Sequence, residues 1–341
     1  MNRKLEAFVQ KVPKAELHVH IEGTMTPALV QRLSKKYGHE LASLDQTQIR
    51  SLYAFKDLPS FLSIYYRLSA LLRDEDDFYQ LAYAYLKRAA EDNVVYAEIF
   101  FDLQVHMKRG VEADHIFSGL HRAKAKAEED FGIRSAYILC FDRCDSEEKA
   151  FAVYEVALDY RDQILGFGLD SDGYKNPPSK FKRLFSQIKQ DGFPITMHAE
   201  LDQHDIHTQI DECIHMIGVD RIDHGVNSAD ESALSTALIN KDIGLTVCPL
   251  STFSINRSFT LDKIRLLVDR SVRVTVHSDD PAYFDGYINS NMMVLVLSNM
   301  FKAREVLKMI EDSFIISWLE HHEKQHYLSQ VRAYAREVGI S

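Results

Sequence analysis

Two histidines stand at alternate positions in "LHVHIEG", His18 and His20. If this stretch is a strand, both imidazoles share one face while Leu17, Val19 and Ile21 take the other, because successive strand side chains alternate. Side by side at a strand end, two imidazoles are a natural pair of metal ligands. Later runs add candidates: "PITMHAELDQ" carries His198, "RIDHG" carries His224, and "VRVTVHSDDP" carries Asp279 and Asp280. Read alone, any of these histidines is a hydrogen-bonded interior residue. Read together, His18, His20, His198 and Asp279 supply nitrogen and oxygen ligands to one divalent ion, with room for a water. Zinc held this way lowers the pKa of its water toward neutrality. A carboxylate must then carry protons to the leaving group, and a neighbouring imidazole can hold the hydroxide in place. Glu200 and His224 are the candidates for these two tasks. Asp280 directly follows Asp279 and would face away from the ion in an unbroken strand; a chain turn at Pro281 would free it to hydrogen-bond a substrate.

These residues need strand ends to converge. Eight short apolar, β-branched runs are present: "AELHVHIEG", "VVYAEIFFD", "RSAYILCFDR", "ILGFGLD", "PITMHAE", "RIDHG", "GLTVCPLS" and "VRVTVHSDDP". Helical patterns separate them, predicted at 113–130, 146–162, 178–189, 205–217, 230–240 and 261–270. Eight strands alternating with helices predict an α/β fold, a (β/α)8 TIM barrel spanning 1–341 as a single domain. A doubly wound sheet is the alternative, but no Gly-x-Gly-x-x-Gly opens a helix after the first strand. Extra helices are expected at 26–92, after strand 1, and at the C-terminus from Asn291 onward. In such a barrel the active site lies at the C-terminal ends of the strands, where the polar residues above are concentrated.

Composition narrows the ligand. The 341 residues hold 40 Lys and Arg against 50 Asp and Glu, a net charge of -10, with no clustered basic surface for nucleic acid. A small neutral or cationic molecule suits this balance better. The start "MNRKLEAFVQKVPKAELHVH" has no apolar core of signal-peptide length, and no later run approaches a membrane span, which predicts a cytoplasmic protein. Cys140, Cys144, Cys213 and Cys248 are scattered without a Cys-x-x-Cys pair, as expected of reduced, mostly buried thiols. Oligomeric state is not written in the sequence.

In combination, these motifs resemble the adenosine/adenine deaminase family of the amidohydrolase superfamily, and most of all its free-base, adenine-deaminating branch. The likeness runs almost end to end, through "PKAELHVHIEGT", "GLDSDGYKNPPSKF", "RIDHGV", "LTVCPLS" and "VTVHSDDPAYFDGY". It implies a purine-base substrate in purine salvage and one Zn2+ per chain, bound by His18, His20, His198 and Asp279. It further implies that His224 steadies the attacking water, that Asp280 accepts a hydrogen bond from the purine, and that Ser171 and Asp172 border the far side of the base.

The sequence departs from the family at "MHAELDQ". The family pattern is His-Ala-Gly-Glu, whereas Leu201 stands here at the glutamate's place and Glu200 comes one residue early. The interval from His198 to His224 is also about two residues longer than usual. Strand alternation aims Glu200 inward with Thr196 and His198, so Glu200 rather than Asp202 is the expected proton shuttle, displaced by about one residue's rise, ~3.3 Å. His277 and "PLSTFSINRSF" are further departures, where the family often has asparagine and usually has "PLSN". Three readings follow: deamination of adenine, a sister aminohydrolase preferring another 6-substituted purine or aminated heterocycle, or a zinc- and purine-binding protein with impaired catalysis.

Overall fold

The computed structural model describes residues 2–199 and 205–340. All eight runs form strands: β1 Lys14–Glu16, β2 Val94–Phe101, β3 Arg134–Asp142, β4 Ile164–Asp170, β5 Thr196–Ala199, β6 Arg221–His224, β7 Gly244–Val247 and β8 Val274–Val276. They pair in parallel as two four-stranded sheets, β1 to β4 and β5 to β8. Single bridges, Phe167 to Ile195 and Val19 to Asp279, join these sheets into a ring. Parallel neighbours connected through helices and closed in this way make the TIM barrel that the alternation predicts.

The first strand is shorter than its sequence run. Past Glu16 the Leu17 amide donates to the His277 imidazole at 3.1 Å, which interrupts the ladder, and the chain returns to its neighbours only through bridges at Val19 and His20. Helices occupy the expected intervals with altered ends. The one after β3 is Glu147–Leu158, followed by a separate 3-10 turn, Arg161–Gln163. Tandem prolines make the next begin as a 3-10 turn, Pro178–Phe181, before Lys182–Gln190. After β5, Ile206–Asp211 passes into a π-helical stretch, Glu212–Ile217. Three helices were not foreseen: Asn2–Lys11, Leu103–Met107 and Pro249–Asn256, the last formed by the divergent "PLSTFSIN". The insertion after β1 is helical as expected, including Leu58–Ser69 and Glu75–Glu91. No helix among the described residues is long and apolar enough to cross a membrane.

The barrel interior is mostly apolar on one side and polar on the other, with Glu98 of β2 a buried charge on the apolar side. On the β1 to β4 side, Phe100, Ile138 and Cys140 form a small apolar cluster, with Trp318 packed against it. On the other side the inward positions carry Thr196, Arg221, Asp223, Thr246 and Thr275, while Met197, Ile222, Leu245 and Val274 join the large core beneath the helices. Trp318 lies between the last two helices, Ala303–Ile315 and His321–Glu337. Its indole sits 4.4 Å from the Arg221 guanidinium, and its amide donates to Glu98 Oε1 at 2.6 Å. Arg221 pairs with the other Glu98 oxygen at 2.6 Å, both side chains being fully buried. Deep charges of this kind need such pairing, since an unmatched one costs several kcal/mol. Room for Trp318 comes from Gly166 on β4, where a Cβ would lie 2.5 Å from the indole and 2.6 Å from the Pro194 carbonyl.

Candidate active site

The ends of the strands deliver the expected groups to one place. The His20 and His198 Nε2 atoms are 3.0 Å apart. Asp279 Oδ1 lies 3.5 Å from His18 Nε2 and 3.6 Å from His20 Nε2. A tetrahedral ion with bonds of ~2.0–2.1 Å has ligand-to-ligand edges of about 3.3 Å, so these separations suit a zinc-sized ion. His18 Nδ1 faces the Thr246 carbonyl at 3.0 Å and hydroxyl at 2.9 Å. Those acceptors assign the ring proton to Nδ1 and leave a lone pair on Nε2, which is buried and hydrogen-bonded to nothing among the described residues. An orphaned imidazole nitrogen beside two others and a carboxylate is what a metal ligand set presents.

Electrostatics agree with that donor set. Burial holds His198 well below the usual imidazole range and lowers His20 to about 3. Burial works to raise the Asp279 carboxyl, but the adjoining imidazoles of His18, His224 and His20 hold it well below its ordinary value. His224 adopts a left-handed backbone (φ 61°) at the end of β6, and its Nε2 lies 3.7 Å from the second Asp279 oxygen. Cys248, placed by sequence among reduced, mostly buried thiols, also has its sulfur within reach of His18, His224 and Asp279.

The turn after β8 differs from expectation. It occurs at Asp279 itself (φ 63°), not at Pro281, so Asp279 and Asp280 both face the cavity instead of opposite ways. Gly23 makes space for this arrangement: a Cβ there would come within 1.9 Å of Asp280 Oδ1. Burial and then the Asp279 charge push the Asp280 carboxyl well above its usual range. The cavity is small, with a volume of about 40 Å³. Its floor is His20, His198, Asp279 and Asp280, and Leu58, Phe61 and Leu62 from the helix Leu58–Ser69 form an apolar wall suited to a flat ring.

Ser171 borders the cavity, with its hydroxyl 2.6 Å from Tyr66 Oη. Asp172 is instead turned into its own loop, where Oδ1 accepts from the Tyr174 amide at 2.8 Å. Glu200, the expected proton shuttle, lies outside the described residues, as does Asp202. Sequence reading missed Asp102 and Asp170, which also line the cavity. Both are the last residues of strand runs, "VVYAEIFFD" and "ILGFGLD", so the rule that picked out the histidines would have found them. Burial, followed by the charges of Glu22 on Asp102 and of Asp102 on Asp170, pushes both carboxyls well up. Asp170 Oδ2 stands 3.5 Å from His20 Nδ1. Glu22 was also missed; its Oε1 receives the Asp102 amide at 3.1 Å and contacts His106 Nε2 at 2.8 Å.

Three imidazoles and a carboxylate converging on the C-terminal face of a TIM barrel define a hydrolase that works at a metal-ligand cluster. Comparison with known proteins gives the family. The adenosine deaminase profile matches residues 13–334. Adenine deaminase from Psychrobacter cryohalolentis is 40% identical over 326 residues, 95% of this chain and 98% of the relative. The solved adenine deaminase from Arthrobacter aurescens superposes with a TM-score of 0.90 at 36% identity, covering 95% of this chain and 99% of that one. An amidohydrolase from Burkholderia ambifaria, solved with bound zinc, shares the fold at a TM-score of 0.89 and 23% identity, over 98% of this chain and 95% of that one. The chain belongs to the adenosine deaminase family, and it is an aminohydrolase.

Proposed function

We propose that this aminohydrolase converts adenine to hypoxanthine and ammonia as a cytoplasmic purine-salvage enzyme, acting as one catalytic domain with one zinc per chain. The observation that carries this reading is the convergence of His18, His20, His198 and Asp279 at the mouth of the barrel, in a chain about 40% identical to adenine deaminases over nearly its whole length. Zinc held by these four groups would supply a hydroxide nucleophile at neutral pH. His224, beside the second oxygen of Asp279, is placed to hold that nucleophile in line. Asp280 hydrogen-bonds the purine from the cavity floor, and Ser171 borders the far side of the base. The wall of Leu58, Phe61 and Leu62 stacks on the ring face and keeps bulk water away. Glu200 gives a proton to the ring nitrogen during attack on the amino-bearing carbon and then assists departure of ammonia.

Ultraviolet assays of adenine and adenosine at equal enzyme concentration test this proposal. Faster turnover of adenine is expected. Preference for adenosine would move the chain to the nucleoside branch, and preference for another 6-substituted purine would assign a sister activity.

A further inference from the structure

Below the ligand cluster, the inward-facing Asp223 carboxylate of β6 is fully buried. Two neighbouring strands reach it. Its Oδ2 accepts from Thr196 Oγ1 on β5 at 2.8 Å and faces His198 Nδ1 across 3.4 Å, a buried ring nitrogen with no hydrogen bond among the described residues. Its Oδ1 accepts from Thr246 Oγ1 on β7 at 2.9 Å. The same threonine meets His18 Nδ1 through its hydroxyl at 2.9 Å and its carbonyl at 3.0 Å. A hydroxyl has one proton to give, so the chain has a direction: the His18 N–H donates to Thr246, and the Thr246 O–H donates to Asp223. One carboxylate therefore backs two of the three imidazoles, on the ring nitrogens that face away from the cluster. Arg221, whose Nε lies 3.9 Å from Asp223 Oδ1, is the cation that makes so deep a carboxylate tolerable.

We propose that Asp223 is the positioning residue of the metal centre: its carboxylate stands behind His198 Nδ1, and behind His18 through Thr246, so that their Nε2 lone pairs are aimed at the ion. This rests on the metal reading above and adds to it a residue outside the ligand set. The negative charge behind the rings also raises their basicity as ligands. An asparagine at 223 keeps the shape but replaces one acceptor oxygen with a donor, so one of the two links must break or reverse.

Zinc affinity, measured by competition with a chromophoric chelator, reads this role without turnover, and so does the visible spectrum of the cobalt(II)-loaded protein. Asp223→Asn is expected to bind zinc about 10- to 100-fold more weakly and to alter the cobalt d–d bands. The metal-free protein should melt near the parent's temperature, which a purely structural role would not allow. Thr246→Val should weaken zinc binding in the parent and add less in the Asp223→Asn background, because both changes act on His18. Parent-like affinity and spectrum in Asp223→Asn overturn the proposal and leave the ligand set standing. If Asp223→Asn does not fold, parent-like affinity in Thr246→Val overturns it. A parent chain that retains no zinc removes the metal reading and this proposal together.

Discussion

At the scale of single residues, side-chain alternation is what made the site legible. It put His18 with His20 and Thr196 with His198, and in the structure both pairs do share an inward face, the second pair meeting at Asp223. Alternation fails where the backbone leaves the strand. Asp279 is left-handed, so its neighbour Asp280 enters the same cavity, and no residue pattern in "HSDDP" announces that turn before Pro281. Asp280→Asn should therefore keep its zinc while losing activity on the order of 10²-fold, as removal of a preorganised polar group does. Elemental analysis beside the adenine assay checks this; loss of zinc would mean that the two aspartates have exchanged roles. For Glu200, β5 runs through Ala199 with His198 facing inward, which is the premise of the shuttle assignment. Glu200→Gln should lower turnover by roughly 10²- to 10⁴-fold with zinc retained, and Asp202→Asn far less. The reverse outcome would show that the chain turns after Ala199 and that Asp202 carries the proton.

At the scale of elements, the strands were readable because each is a compact β-branched run, and the helices because their apolar stripes are regular. Their ends were not, since these depend on partners remote in sequence: His277 captures the Leu17 amide and stops β1. The helix Pro249–Asn256 hid for a different reason, its β-branched and aromatic residues giving little helical periodicity. Gly166 shows how a strand can be specified by what it must leave empty. Gly166→Ala would press a methyl group against both the Trp318 indole and the Pro194 carbonyl, and the second contact is backbone that cannot rotate away. A loss of about 1–3 kcal/mol is expected, read from the urea midpoint. An unchanged midpoint would show that β4 and Trp318 shift freely, and the packing at the foot of the barrel would then need another account.

For the whole molecule, eight alternating strands were enough to predict the barrel, because right-handed parallel crossovers leave few other ways to close a sheet of that order. The polar interior of one half was present in the sequence as Thr196 and His198, Arg221 and Asp223, Thr246, and Thr275, alternate residues of β5 to β8, but which face turns inward is settled only when the ring closes. The role of Trp318 was less visible still, since a lone tryptophan between two helices carries no period. Closure itself rests on few backbone-to-backbone hydrogen bonds, with Leu17 to His277 and Ser278 to Glu16 adding side-chain links at the first joint. One boundary between the sheets is spanned by the Asp279 amide to the His18 carbonyl at 2.9 Å and the His20 amide to the Asp279 carbonyl at 3.1 Å; the other is spanned by the Phe167 amide to the Pro194 carbonyl at 3.0 Å. His18 and His20 belong to one half-barrel, whereas His198 and Asp279 belong to the other. A metal ion gripped by all four, as proposed above, would be a rivet through two plates, and the reaction centre would double as a mechanical fastener. Stripping the protein with a chelator should then loosen the plates before either melts. Hydrogen exchange followed by mass spectrometry would register faster labelling at 18–20, 167 and 279 than within β2 and β3, while equal acceleration everywhere would mean that the plates were never separable. A fall in zinc supply would in that case cost the protein its closure together with its chemistry, leaving a gaping barrel open to proteolysis along its two joints.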